Sequence, residues 1–410
     1  MREAEAHGHR TQDTMNGRQR VGAALRGQWP DRIPIDVGST FATSLTAPAH
    51  NALRAELGLP LRRSRIAQPD MMLVEMEAEV RRALGVDTIG LYPGGGHLHG
   101  WAPWTMPRGT EVSLPADLEP KARADGGWDL WRDGRQAGTM PPGGIYFDAV
   151  AYAKWRDYDP AELTDAVLKD LQARVSYCHE NTDLAVVLNV PYTIFNGTSV
   201  EFLCALLDEK DEVHRRLTVW TDHVLQCLGM LLDAVGDKVS VMAFSGDAGM
   251  QQGPLIGTDL YREMILPHFR RIPEYLHRHS SIKFFYHTCG SVYRLIDCFI
   301  ELGIDILNPL QVTAAEMEAS RLAGAFGGRV VFWGGGVDAQ HTLVHGSEED
   351  VRAKVRSQLE HLAARPGYVF AFDHNVQPDA PPRNVLAALD EARGWACQKL
   401  SEKRRDNRRD

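Results

Sequence analysis

Apolar residues fall into short runs, separated by longer stretches in which they recur every three or four positions. Eight runs predict strands: 32–37 (RIPIDV), 86–92 (VDTIGLY), 184–190 (LAVVLNV), 238–244 (KVSVMAF), 282–287 (IKFFYH), 304–308 (IDILN), 329–333 (RVVFW) and 367–372 (GYVFAF). Several are nearly continuous, as expected of strands covered on both faces in a parallel sheet. Between them a 3.6-residue period predicts helices over 70–84, 160–181, 198–235, 260–279, 291–302 and 348–364, with Asp70 and Ser291 placed as N-caps. Strands alternating with helices predict an α/β fold, a (β/α)8 TIM barrel; a doubly wound sheet is the alternative. Residues 93–159 break the alternation with short polar stretches bounded by Gly and Asp-Gly turns (GTEVSLP, GGWDLWRDGRQAG, GGIYFDAV). They predict a β-hairpin insertion after the second strand, lying over the barrel mouth. Residues 1–19 are polar and aperiodic and 401–410 are charged at nearly every position, so both are expected to be tails flanking a single domain over 20–400.

Composition narrows the function classes. Hydrophobic residues make up 44% and charged residues 24% of the 410, enough for a sizeable core. The net charge of −9 leaves no basic field for nucleic acid. No apolar run reaches about 18 residues and no cationic leader precedes an apolar stretch, which predicts no membrane partner and a cytoplasmic protein. Six cysteines without a C-x-x-C pair do not form a disulfide framework, so a special cysteine here is expected to be a metal ligand or a nucleophile.

In a barrel, chemistry belongs at the C-terminal ends of the strands. Here those ends are polar: Asp36 and Ser39, Tyr92, Asn189 and Tyr192, Ser245, Asp247 and Gln251, His287 and Cys289, Asn308 and Gln311, Trp333, then Asp373, His374 and Asn375. His287-Thr288-Cys289 is the sharpest signal. Residues i and i+2 of an extended segment project to the same side, so an imidazole nitrogen and a sulfur can converge on one ion. These are ligand types that zinc takes, and a catalytic zinc uses three protein ligands plus an open position. His374, at the end of the eighth strand, is the expected third ligand; Asp373, Asp247 and Glu263 are oxygen alternatives. The plain alternative is a structural histidine beside a buried cysteine. His97 and His99 could form a second metal pair or belong to a loop. Gly334–Gly336 could receive an anion on backbone N–H groups or form a tight turn.

The chain resembles the uroporphyrinogen decarboxylase superfamily from about residue 31 to 392, and most closely its branch of corrinoid-dependent methyltransferases. The resemblance is carried by DRIPIDVGST, GTEVSLPADL, MPPGGIYFDAV, GDAGMQQGPLIGTDLYREMILP, FFYHTCGSVYRLIDCFIELGIDILNPLQV, VVFWGGGVDAQ and FDHNVQPDAPPRNV. It implies a (β/α)8 barrel. Members that form methyl-coenzyme M hold zinc with an H-x-C pair after strand five and a cysteine after strand eight. His287 and Cys289 match the pair, while His374 stands where those members have cysteine. The arginine-rich N-terminal segment that clamps porphyrin carboxylates in the decarboxylases is replaced by PIDVGST, so uroporphyrinogen decarboxylation is not expected.

The resemblance therefore implies a zinc-dependent methyltransferase that moves a methyl group between a small methylated substrate or thiol acceptor and a corrinoid. The corrinoid (cobalamin) is expected on a separate partner protein, because the chain lacks a D-x-H-x-x-G motif. His287, Cys289 and His374 would be the metal ligands, with Asp247 and His374 catalytic. Asn189, Tyr192, Gln251, Asn308 and Trp333 would contact substrate. The resemblance also implies a homodimer. The rival expectation is metal-independent decarboxylase or lyase chemistry on a small carboxylic acid, with Asp247 stabilising a protonated intermediate and His374 as the acid.

Overall fold

The structure, a computed structural model, describes residues 14–149, 163–193 and 199–406. Seven parallel strands pair in chain order into one curled sheet: Thr88–Leu91, Ala185–Thr193, Val241–Ser245, Lys283–His287, Ile306–Asn308, Val331–Trp333 and Tyr368–Val369. The first predicted strand closes the gap between the sheet's two edges. Phe370 N–H donates to Pro34 O, Asp36 N–H to Phe370 O and Asp87 N–H to Ile35 O, each at 2.8 Å. Pro34 has no N–H to donate, and the first segment pairs through Ile35 alone, as an isolated parallel bridge to Phe370. The architecture is thus the expected α/β barrel.

Alternation along the strands sorts the core into two layers. Ala185, Val187, Val241, Ala243, Phe285, Ile306, Val331, Trp333, Val369 and Ala371 fill the barrel interior. Their neighbours Val186, Leu188, Met242, Phe244, Phe284, Tyr286, Leu307, Phe332, Tyr368 and Phe370 pack outward in the large core that includes the surrounding helices. The inward parity continues to the strand ends and carries Asn189, Ser245, His287 and Asn308 toward the mouth. At the opposite end, Val21 and Ala24 of the helix Gly17–Leu25 join the inner core.

Several boundaries differ from those expected. The N-terminal tail gives way before residue 19: Asn16 and Gln19 form a reciprocal capping box on the helix Gly17–Leu25. The predicted helix over 70–84 shrinks to Ala78–Leu84, with Glu77 rather than Asp70 at its N-cap position and no side-chain cap there. Met72 takes a positive φ of 51°, which no helix accommodates, and Leu73–Val74 pairs instead with the strand Ser64–Gln68. Ser291 is buried ahead of a short 3-10 turn and caps nothing; the helix proper is Ile296–Leu302. The stretch over 260–279 breaks into Thr258–Met264, Leu266–Phe269 and Arg271–His279, with Pro267 and Pro273 near the starts of the second and third. The start of the helix expected at 160 and the end of the insertion at 159 lie outside the described residues; the helix is seen from Asp165 to Asn181. The last helix, Pro382–Asp406, runs into the segment expected to be a tail. Among the described residues no helix is long and apolar enough to cross a membrane.

The insertion is larger than one hairpin. Trp101–Thr105 and Glu111–Pro115 form a hairpin that joins Ser64–Gln68 and Leu73–Val74 in a four-stranded sheet. Leu118–Ala122, Trp128–Arg132, Arg135–Met140 and Asp148–Ala149 make a second antiparallel sheet. A separate apolar core containing Ile66, Met72, Val112, Leu130, Met140 and Phe147 holds this lobe together.

One buried ion cluster ties the N-terminal helix to the barrel. Arg20 reaches Asp31 at 2.6 Å and Asp87 at 2.5 Å, and Arg32 reaches Asp87 at 2.7 Å. Burial of Asp31 works against ionisation, but the Arg20 guanidinium and the N–H groups of Met15 and Thr14 outweigh it and hold the carboxyl down to about 2. A depressed carboxylate stabilises the fold above its unfolded pKa, near 4, and loses that contribution as pH falls through its folded value. Asp31→Asn is expected to cost about 2 kcal/mol at pH 7. In urea unfolding followed from pH 7 to 3, the gap from wild type should narrow once the pH drops below about 4.

Candidate active site and metal centre

His287 ends the fifth strand, in register with Ser245 of the fourth and Asn308 of the sixth. Its Nδ1 donates to Asn308 Oδ1 at 2.8 Å, and Asn308 Nδ2 donates to Trp333 O at 2.9 Å. The ring is therefore held in the tautomer that leaves the Nε2 lone pair free. Cys289 Sγ lies 3.4 Å from that Nε2. The loop reverses at Gly290, whose φ of +87° favours glycine and where a Cβ would fall 2.6 Å from the backbone of Gly249. Gly290 N–H donates to Gln311 Oε1, while Cys289 N–H donates to Asp247 Oδ1 at 2.9 Å.

His374 follows the eighth strand, and its ring centroid is 6.1 Å from that of His287. Ligand atoms of His287, Cys289 and His374 all lie within 4.8 Å of one another, and this is the one such cluster found among the described residues. Two ligands on a tetrahedral zinc are roughly 3.5 Å apart, so the Cys289–His287 edge already has that length and His374 needs only a small side-chain adjustment. Two imidazoles and a thiolate are also a donor set that zinc takes while keeping a position open. The residues present fit the ion.

Electrostatics prepare the neutral bases. Burial pushes His287 down to about 4, against the opposing pull of Asp247. Burial likewise lowers His374, partly offset by its hydrogen bond with Asn375 and by the field of Asp247. Burial, with the negative fields of Asp247 and Asp373, raises the Cys289 thiol. Asp373 is raised to about 7 by burial although it accepts the Ala339 N–H at 2.7 Å. Without a cation the imidazoles stay neutral and the thiol protonated; a divalent charge among them favours the thiolate.

A cavity of about 540 Å³ opens beside the cluster, reaching it at His287. His287, Asp247, Asn189 and Tyr192 line it, together with Phe41, Tyr92, Asp70, Met71 and Arg132. Phe41 packs edge-on against His287 with ring centroids 4.5 Å apart. Asn189 donates to Ser39 O at 2.8 Å, and among the described residues nothing donates to its Oδ1. Phe41, Asp70, Met71 and Arg132 were not expected from the strand ends; a hydrophobic position beside strand one and an arginine in the insertion's WDLWRDGR hairpin were the only signals.

Other expected site residues stand elsewhere. Trp333 is fully buried in the inner core, its Nε1 donating to Asp36 Oδ2 at 2.8 Å, and does not reach the cavity. Asn308 sits behind His287 and touches the ring rather than substrate space. Gln251 accepts from Gln311 Nε2 at 3.0 Å and braces the loop that carries Gly290. Of the oxygen alternatives, Glu263 is paired with Lys210 on the exterior, while Asp247 stands 3.8 Å from His287 Nε2. His97 pairs with Glu75 and His99 faces Asp117, so the two histidines do not converge. Gly334 and Gly335 have positive φ, and Cβ atoms at Gly335 and Gly336 would collide with Leu310 and the Phe370 ring: the triplet is a tight turn.

Comparison with known proteins adds the following. A family model described as uroporphyrinogen decarboxylase (URO-D) matches residues 155–395. A curated uroporphyrinogen decarboxylase from Thioalkalivibrio sulfidiphilus is 27% identical over 208 residues, which is 49% of this chain and 54% of that protein, so the match spans about half the length of the relative. A solved methyltransferase from Methanosarcina mazei superposes with a TM-score of 0.57 at 16% identity, covering 93% of this chain and 98% of that one. Likeness at that identity speaks to the fold.

Asn308 makes a direct test of the tautomer argument. Asn308→Ala removes the acceptor from His287 Nδ1 and is expected to weaken zinc binding on the order of 10–100-fold. Competition against a chromophoric chelator measures this; unchanged affinity in the folded variant would contradict it.

Proposed function

The chain belongs to the uroporphyrinogen decarboxylase family, and from that premise we propose that it is a zinc-dependent methyltransferase. It moves a methyl group between a small methylated substrate or thiol acceptor and a corrinoid carried on a separate protein. The convergence of His287, Cys289 and His374 at the barrel mouth carries the reading. Those three side chains would hold the zinc, which when bound supplies Lewis acidity and lowers the pKa of a thiol or hydroxyl. Asn308 fixes the orientation of His287, and Phe41 shields the same ring from water. Asp247, anchored by the Cys289 N–H, presents a carboxylate at the rim where it can accept a proton from substrate. Asn189 and Tyr192 line the space above it and orient the reacting group.

The charge of the cavity supports a small neutral substrate over a polycarboxylate. Among its described lining residues Asp70 and Asp247 are acidic and Arg132 is the one guanidinium, already 2.9 Å from Asp117. A tetrapyrrole with many carboxylates would lack counter-charges there. The second reading, metal-independent decarboxylation of a small carboxylic acid with Asp247 and His374 as the reacting groups, has in its favour the decarboxylase relative.

Elemental analysis beside a methyl-transfer assay, with methylcobalamin as donor and a panel of thiols, separates the two. His287→Ala and Cys289→Ala are expected to lose stoichiometric zinc and at least about 100-fold of the transfer rate together. Full turnover by a metal-free Cys289→Ser protein contradicts the zinc role. Carbon dioxide release that chelators leave unchanged selects decarboxylation.

A further inference from the structure

A second cavity, of about 680 Å³, lies beside the catalytic one, and Ala67, Tyr92, Pro93 and Gly95 line both. Its walls are mostly apolar, with Ile66, Val74, Met76, Ile89, Leu91 and the indole of Trp101 among them. That composition and volume are those of a small-molecule site, in which a few polar groups set orientation.

The polar groups of this wall are mostly committed elsewhere. Glu75 holds His97 at 2.8 Å, and Glu77 holds His50 at 2.8 Å and Arg54 at 3.5 Å. Arg174 is paired with Asp170 at 2.5 Å and also donates to Tyr92 O. Arg81 differs. Its Nη1 donates to the carbonyl of Met76, but among the described residues it has no carboxylate partner, and its Nε is closed to solvent without a hydrogen bond. A half-buried guanidinium with unspent donors is costly unless an acceptor arrives, and a carboxylate matches its planar fork. Burial lowers the pKa of Arg81, opposed by the longer-range fields of Glu75 and Glu77, whose own ion pairs are with His97, His50 and Arg54, and the guanidinium stays charged.

We propose that this second cavity is a binding site for an apolar organic carboxylate. The carboxylate is held by Arg81, and the apolar body lies against Trp101, Ile66, Val74 and Leu91. The site is independent of the metal ligands and goes beyond the methyltransferase reading.

Isothermal titration of the full chain with 2-naphthoate, and with its neutral isostere 2-naphthamide, tests the proposal. Wild type and the Cys289→Ser protein are both expected to bind naphthoate, at least about tenfold tighter than the amide, since a charge-assisted pair is worth roughly 1.5 kcal/mol or more. Arg81→Gln should erase that preference, and Arg81→Lys should retain part of it. Equal affinity of wild type for acid and amide, or no binding of naphthoate, overturns the proposal even if Arg81→Gln does not fold. Binding that is lost in Cys289→Ser but kept in Arg81→Gln would place the anion in the catalytic cavity and overturn it as well.

Discussion

The hydrogen bond from His287 Nδ1 to Asn308 Oδ1 is the contact on which the site depends. A buried imidazole can present either nitrogen, and only one choice points a lone pair at Cys289 and His374. Asn308 makes the choice, and its own amide is pinned by Trp333 O. Trp333 is in turn held through its indole by Asp36, which also accepts from Thr88 Oγ1 at 2.7 Å. A continuous polar thread thus runs from the first and second strands, through the seventh and sixth, to the fifth. Buried networks of this kind are stable only when each member is satisfied, so the thread couples the closure of the barrel to the orientation of one ring.

The rest of the architecture supplies position and surroundings. Inward parity carries His287 toward the mouth, and the turn at Gly290 lets Cys289 follow it to the same side. The last strand delivers His374 from the far end of the sequence because parallel strands all end on one rim. The insertion then roofs that rim. Its Arg132 reaches the cavity at the barrel mouth and its Trp101 the neighbouring one, so the lobe that interrupts the βα alternation builds walls for both compartments.

Much of this was legible in the sequence. Apolar runs marked seven strands and the closing segment, since strands covered on both faces leave little room for polar residues. The H-x-C pair was legible because residues i and i+2 of an extended segment share a side, and His374 because it stands just past the end of the eighth strand, although the parity of Val369 and Ala371 would carry Asp373 inward instead. Depth was not legible: Trp333 ends a strand as His287 does, but it points into the packed interior and serves the core. Nor was the difference between touching a ligand and touching its support, which separates His287 from Asn308, or Cys289 from Gln251. Residues that reach the site from outside the strand ends, such as Phe41, Asp70 and Arg132, depend on how loops and the insertion fold over the mouth, and no local period encodes that. The helix expected from residue 70 failed for a local reason, the left-handed backbone at Met72.

The most direct test of the central claim is zinc K-edge X-ray absorption on the zinc-loaded protein. The account predicts one sulfur and two imidazole nitrogens in the inner shell, with the sulfur contribution lost in Cys289→Ser and one imidazole lost in His374→Ala. A shell of oxygen and nitrogen alone in the wild type, or one unaltered by both substitutions, would contradict it.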